Sequence, residues 1–183
     1  LSTSTPALAQ DELASAQKKH VTNFSELRSL IEANRFSRVE DLLAQLSPET
    51  LKHYSLIHDS RSTHGSSTVE PRVMVYNADG KMVLTFNGSP EQRNFNRLEV
   101  IQFNDEKQTF DFFDIAFSEG EPKSDPIFSE ANPKRCLGCH GINPRINWDG
   151  SPVWVGSYGE FNDLVNPTSD EGKKLAEYIS TSA

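Results

Sequence analysis

The two cysteines of this 183-residue chain stand three positions apart, in Cys136-Leu137-Gly138-Cys139, and His140 follows directly. Two thiols and an imidazole at this spacing can do one of four things. They can attach a c-type haem: each thiol adds across one vinyl group of the porphyrin, the short link brings both sulfurs to the same macrocycle edge, and the next residue delivers its imidazole to the iron. They can form a redox-active C-x-x-C pair, which wants a thioredoxin-like βαβ context that the flanking sequence does not offer. They can begin a structural zinc site, which wants a further ligand close by, whereas no Cys or His follows His140. They can close a disulfide across two residues, which is strained and rare. The spacing favours the first: one covalent haem c on Cys136 and Cys139, with His140 as proximal iron ligand.

At these residues, and at Gly141 behind them, the chain resembles the c-type cytochromes. The resemblance covers six positions and implies a mode of attachment rather than a fold. In class I members the motif sits near the start and a methionine ligand follows; here both methionines, Met74 and Met82, precede it. Late placement is similar to cytochromes c′, but those are four-helix bundles. Late placement after a sheet looks more like the P460 and c′-β group. P460 members carry a lysine cross-linked to haem; Lys81 would have to serve, and a solvated hairpin lysine is the simpler reading. The family also implies attachment outside the cytoplasm, in a bacterium the periplasm or the outer face of the membrane. Ala7-Leu8-Ala9 before Gln10 reads either as the tail of a signal peptide or as a disordered polar start over residues 1–9.

Other residues can complete such a site. His58, His64, Met74 and Met82 are the candidates for the sixth iron position, beside an open position. For the histidines the competing role is a solvated loop side chain, and for the methionines it is core packing. His20 and His53 read as structural. Trp148, Trp154 and Tyr158 follow the motif closely enough to wall the haem. Arg135 and Arg145 flank it and can pair with propionates.

The elements that must position these residues form one domain over residues 10–183, of α+β class. N-terminal helices occupy residues 10–57. Apolar residues at intervals of three and four, Leu13, Ala16, His20, Phe24, Leu27 and Ile31, predict a helix over 11–34. A second begins at Ser37, with Val39, Leu42, Leu43 and Leu46 as its stripe. A third is capped by Ser47 with Pro48 at its first position, and Leu51, Tyr54 and Leu56 form its buried side. After a polar loop over 58–71 the period changes to two, predicting a four-stranded antiparallel sheet over 71–118 built from two hairpins. The last strand carries Phe110, Phe112, Phe113, Ile115 and Phe117 on both faces, which predicts cover by helices on one side and by the haem region on the other. A loop-rich haem-binding segment over 130–160 follows, then a C-terminal helix over 169–181, capped by Ser169.

A formal charge of −8 and a pI near 5.1 argue against nucleic acid and anionic membrane surfaces as partners, and favour a basic or neutral redox protein. No apolar run approaches the ~20 residues of a transmembrane span. Two kinds of function fit. One is periplasmic electron transfer, as a free carrier or a haem subunit of a larger complex. The other is a five-coordinate haem that binds or senses nitric oxide or carbon monoxide, or reacts with peroxide. The base rate of single c-type haems favours electron transfer, so no catalytic residue is assigned.

Overall fold

The computed structural model describes residues 18–60, 62–118, 125–144 and 165–181. Among the described residues the sheet has six strands, not four. β1 (His53–Ile57), β2 (Arg72–Tyr76), β3 (Met82–Asn87), β4 (Arg97–Asn104), β5 (Thr109–Ala116) and β6 (Ile127–Phe128) pair antiparallel in sequence order. The two extra strands correct the expected architecture at both ends. Residues 53–57, read as the end of a helix, extend instead because each pairs with β2, from His53 opposite Tyr76 to Ile57 opposite Arg72. Tyr54 is consequently exposed rather than buried. β6 lies where only loop was expected and adds two residues to the edge of β5.

The helices are short. α1 (Phe24–Asn34) begins where Asn23 caps it, the Asn23 side chain accepting from the Glu26 N–H. The Glu26 carboxylate accepts from the Thr22 N–H in return, closing a reciprocal cap. That cap starts α1 at Phe24, whereas the periodicity starts a helix at residue 11: residues 18–23 are not helical, Lys19 bridges Leu46, and His20 is exposed and bonded to Thr50. α2 (Val39–Leu43) starts after Arg38, one residue beyond the expected cap at Ser37. α3 (Pro48–Leu51) is capped by Ser47 as expected. α4 (Lys134–His140) carries the cysteine motif, in a stretch expected to be loop-rich, and α5 (Asp170–Thr181) follows Ser169, whose hydroxyl accepts from the Gly172 N–H.

Strand alternation gives the sheet two unlike faces. Val75, Met82, Leu84, Leu98, Val100 and Ile115 point to α1 and α2 and meet Leu27, Ile31 and Leu42, which are fully buried. Each such side chain contributes about 1.5–3 kcal/mol by leaving water. Phe24 of α1 stacks on Phe113 of β5 at 3.7 Å between ring centroids. The opposite face carries a smaller apolar patch, Ile57, Met74 and Val83 with Tyr76 and Ile101, beside a charged strip described below. β5 is therefore covered on both sides, by α1 through Phe113 and by α4 through Phe112.

Candidate haem site

Asn132 places α4. It holds a left-handed φ of 58°, which Asn tolerates better than most residues. Its N–H donates to the Phe112 carbonyl at 2.8 Å, and its side chain accepts from the Phe112 N–H at 3.0 Å and donates to Asp111 at 2.9 Å. The chain thus prolongs the edge pairing of β6 by one residue and then turns off the sheet. Pro133 follows as the N-cap, and Gly141, at φ 80°, ends the helix after His140. The segment beyond returns to β5, where the Thr109 hydroxyl donates to the Pro144 carbonyl at 2.9 Å.

On α4, Cys136, Cys139 and His140 occupy positions i, i+3 and i+4, which lie on one face of a helix. The two cysteines are not joined in a disulfide; Cys136 is half-buried and Cys139 exposed. The His140 ring lies against Phe112, with centroids 4.2 Å apart and planes tilted by 32°. Arg135, the residue before Cys136, contacts the carboxylate of Asp114, which also takes Arg97. Two guanidiniums therefore share one nearly buried carboxylate beside the motif. Burial and the nearby Glu99 carboxylate push the Cys136 thiol up, against the pull of Arg135. That is opposite to the lowered thiol of redox C-x-x-C enzymes. Among the described residues, no three His, Cys, Asp or Glu side chains converge as a metal-ligand set.

Glu99 of β4 lies directly opposite Asp114 of β5 and centres the charged strip. It accepts from Arg72 at 2.8 Å and from the Thr63 hydroxyl. Burial pushes its carboxyl up, but Arg72, His64 and Thr63 outweigh it and hold it below the ordinary value. His64, from the loop after β1, has its Nδ1 3.8 Å from Glu99 and a side chain with 0% exposure. Burial pushes its imidazole down to about 4; Glu99 opposes this, and Arg72, Arg97 and Arg135 add to it.

The expected site residues therefore separate. Cys136, Cys139, His140 and Arg135 come together on α4, and His64 lies over the adjoining strand. Met82 is buried on the other face of the sheet, in the core under the helices. Met74 packs with Ile57 and Val83 on β2, two strands from β4. His58 is half-buried at the start of the loop. Lys81 pairs with Asp105 at the surface at 2.7 Å. Arg145, Trp148, Trp154 and Tyr158 lie outside the described residues, as does the expected signal-peptide stretch. Sequence reasoning passed over Arg97, Glu99, Asp114 and Asn132. The Asn-Pro dipeptide at 132–133 is a turn signal that could have marked the entry to α4; charged residues alternating on strands otherwise read as solvated.

No family model, no curated protein and no solved structure matches the chain. Among the described residues no helix is long and apolar enough to cross a membrane.

Proposed function

We propose that this chain is a mono-haem c-type cytochrome, with one haem attached through Cys136 and Cys139 and its iron held by His140, serving electron transfer outside the cytoplasm. The observation that carries the reading is the placement of both cysteines and the imidazole on one face of α4, at the sheet. The attachment needs no outside oxidant or reductant. Each sulfur bonds one vinyl carbon, and the thiol hydrogen goes to the other.

Bound haem supplies a one-electron ferric–ferrous couple. The chain's own residues do the rest. Phe112 holds the face of the His140 ring, which limits its rotation. Arg135 and Arg97 together carry one more charge than Asp114 neutralises, which suits a propionate. Tyr76, Val83, Ile101 and Phe112, on one face of the sheet, offer apolar cover. The overall charge of −8 suits encounter with a basic redox partner. The zinc and redox-disulfide readings draw no comparable support, given the raised Cys136 thiol and the lack of a converging ligand set among the described residues.

The test is to produce the chain in a host with c-type maturation machinery and extract it with acid–acetone. The colour should stay with the polypeptide, with one haem per chain, and be lost in Cys136→Ala with Cys139→Ala. Freely extractable haem, or zinc on the thiols, overturns the reading.

A further inference from the structure

Five histidines are available in the chain, and the cysteine motif uses one. Of the others, His64 has an environment that its surroundings do not explain. Its side chain is completely buried, yet among the described residues neither Nδ1 nor Nε2 has a hydrogen-bond partner. Glu99, at 3.8 Å, stands beyond hydrogen-bond range. A buried polar group left unpaired costs about 1–3 kcal/mol, so an imidazole kept there with two bare nitrogens calls for a partner.

The loop that carries it is pinned on both sides. The His64 N–H donates to the Ser62 hydroxyl at 3.1 Å. The Thr63 carbonyl accepts from Arg93 at 2.8 Å and Asn94 at 2.7 Å, and the Gly65 carbonyl accepts from Gln92 at 3.1 Å. These bonds hold the backbone on either side of His64. A polar loop without periodicity is thereby made into a rigid mount for one side chain.

The mount stands next to the cysteine helix. His64 lies beside Glu99 on β4, and Glu99 pairs across the ladder with Asp114 on β5, which holds Arg135. His140 lies over Phe112, two residues along β5 from Asp114. The two strand positions that support the imidazoles, Glu99 and Phe112, are thus roughly 8 Å apart, from a ~4.8 Å strand spacing and ~3.4 Å per residue. The alternatives stand further off or are already engaged. Met82 is on the other sheet face, Met74 is packed on β2, His20 bonds Thr50, and His53 stacks with Tyr76 at the far edge of the sheet.

We propose that His64 is the second axial ligand of the haem iron, opposite His140. This rests on the cytochrome reading above and adds to it the identity of the sixth ligand. Both ligands are then imidazoles, the iron is low-spin in both oxidation states, and small gases find no open position.

The experiment uses the matured protein with its covalent haem. The ferric electron paramagnetic resonance spectrum should be that of a low-spin bis-imidazole iron, and the ferrous form should not bind carbon monoxide readily. His64→Ala should lose the low-spin signal, gain carbon monoxide binding, and recover the parent spectrum on adding free imidazole. His64→Met should give a thioether-ligated low-spin spectrum, while His58→Ala and Met74→Leu should leave the parent spectrum unchanged. A high-spin parent, or a low-spin spectrum retained in His64→Ala, overturns the assignment and leaves covalent attachment standing. A parent chain that matures without covalent haem overturns both. If His64→Ala does not accumulate, pulsed resonance on the parent carrying ¹⁵N-histidine decides: two axial imidazole nitrogens in the parent and in His58→Ala support His64, and a single one overturns it.

Discussion

Asp114 on β5 holds the guanidinium of Arg135, the residue immediately before Cys136. The carboxylate is 4% exposed and also holds Arg97, so it joins the cysteine helix to two strands of the sheet. Asp114→Ala leaves two guanidiniums without the carboxylate they share. Removing one partner of a buried pair costs about 3–5 kcal/mol. Both arginine side chains are about a third exposed, so the expected loss lies near the lower figure. Arg135→Gln leaves the Arg97 pair intact and should cost about 1 kcal/mol or less. Urea unfolding of the haem-free chain measures both. Equal losses would show that Asp114 does not depend on Arg97.

Phe112 makes the other fixed contact of α4, under the His140 ring. It is 3% exposed. Phe112→Ala should destabilise the chain by about 3 kcal/mol through the lost transfer energy and the cavity left behind. It should also lower the yield of covalent haem, because His140 loses the surface that orients its ring. Denaturant titration and haem-to-protein absorbance ratio read the two effects. A full haem yield with normal stability would mean that α4 is positioned without this contact.

Acid should weaken the haem-free fold through His64. Its imidazole falls from an ordinary 6.5 to about 4 in the folded chain. The groups around it are Glu99, Arg72, Arg97 and Arg135. Above pH 6.5 neither state holds the proton, so there is no effect. As the pH falls below 6.5 the unfolded chain takes the proton first, and stability drops until about pH 4. At 1.36 kcal/mol per unit the loss approaches about 3 kcal/mol. Glu99, held below its ordinary 4.5, adds a separate loss starting below that pH. Urea midpoints across this range should fall in the parent and stay level between pH 6.5 and 4.5 in His64→Leu. The same slope in both chains would assign the acid sensitivity elsewhere.

Partner encounter should depend on salt. The charge is −8. Screening shortens from ~10 Å at 0.1 M to ~3 Å at 1 M ionic strength. Stopped-flow reduction of the matured protein by a basic redox protein should therefore slow steadily as salt rises. A rate that does not change removes electrostatic steering from the account.

Local turns and caps were legible in the sequence, because each is decided by residues close together. The motif at 136–140 carries its own spacing. The turn at Asn77-Ala78-Asp79-Gly80 forms as expected, with Gly80 at φ 68° and its N–H donating to the Asn77 carbonyl. The Ser47 cap before Pro48 likewise acts within a single turn. Alternation sufficed for β2 to β5, whose patterns run five residues or longer.

Tertiary structure decided the rest. Residues 51, 54 and 56 suit a helix or a strand, and only pairing with β2, some twenty residues away, makes 53–57 extended. β6 has two residues and no pattern of its own; it exists because β5 offers an edge. Arg97, Glu99 and Asp114 alternate along their strands, Arg135 stands in a stretch that reads as loop, and nothing local distinguishes them from solvated charges. They meet because the ladder sets Glu99 opposite Asp114 and because Asn132 turns α4 back over β5. His64 is the sharpest instance. A histidine in a polar loop reads as exposed, and it is buried because Arg93, Asn94 and Gln92, about thirty residues further along, bind the loop backbone and lay it on the sheet. Burial is a property of what lies across from a residue, and the sequence around His64 holds none of it.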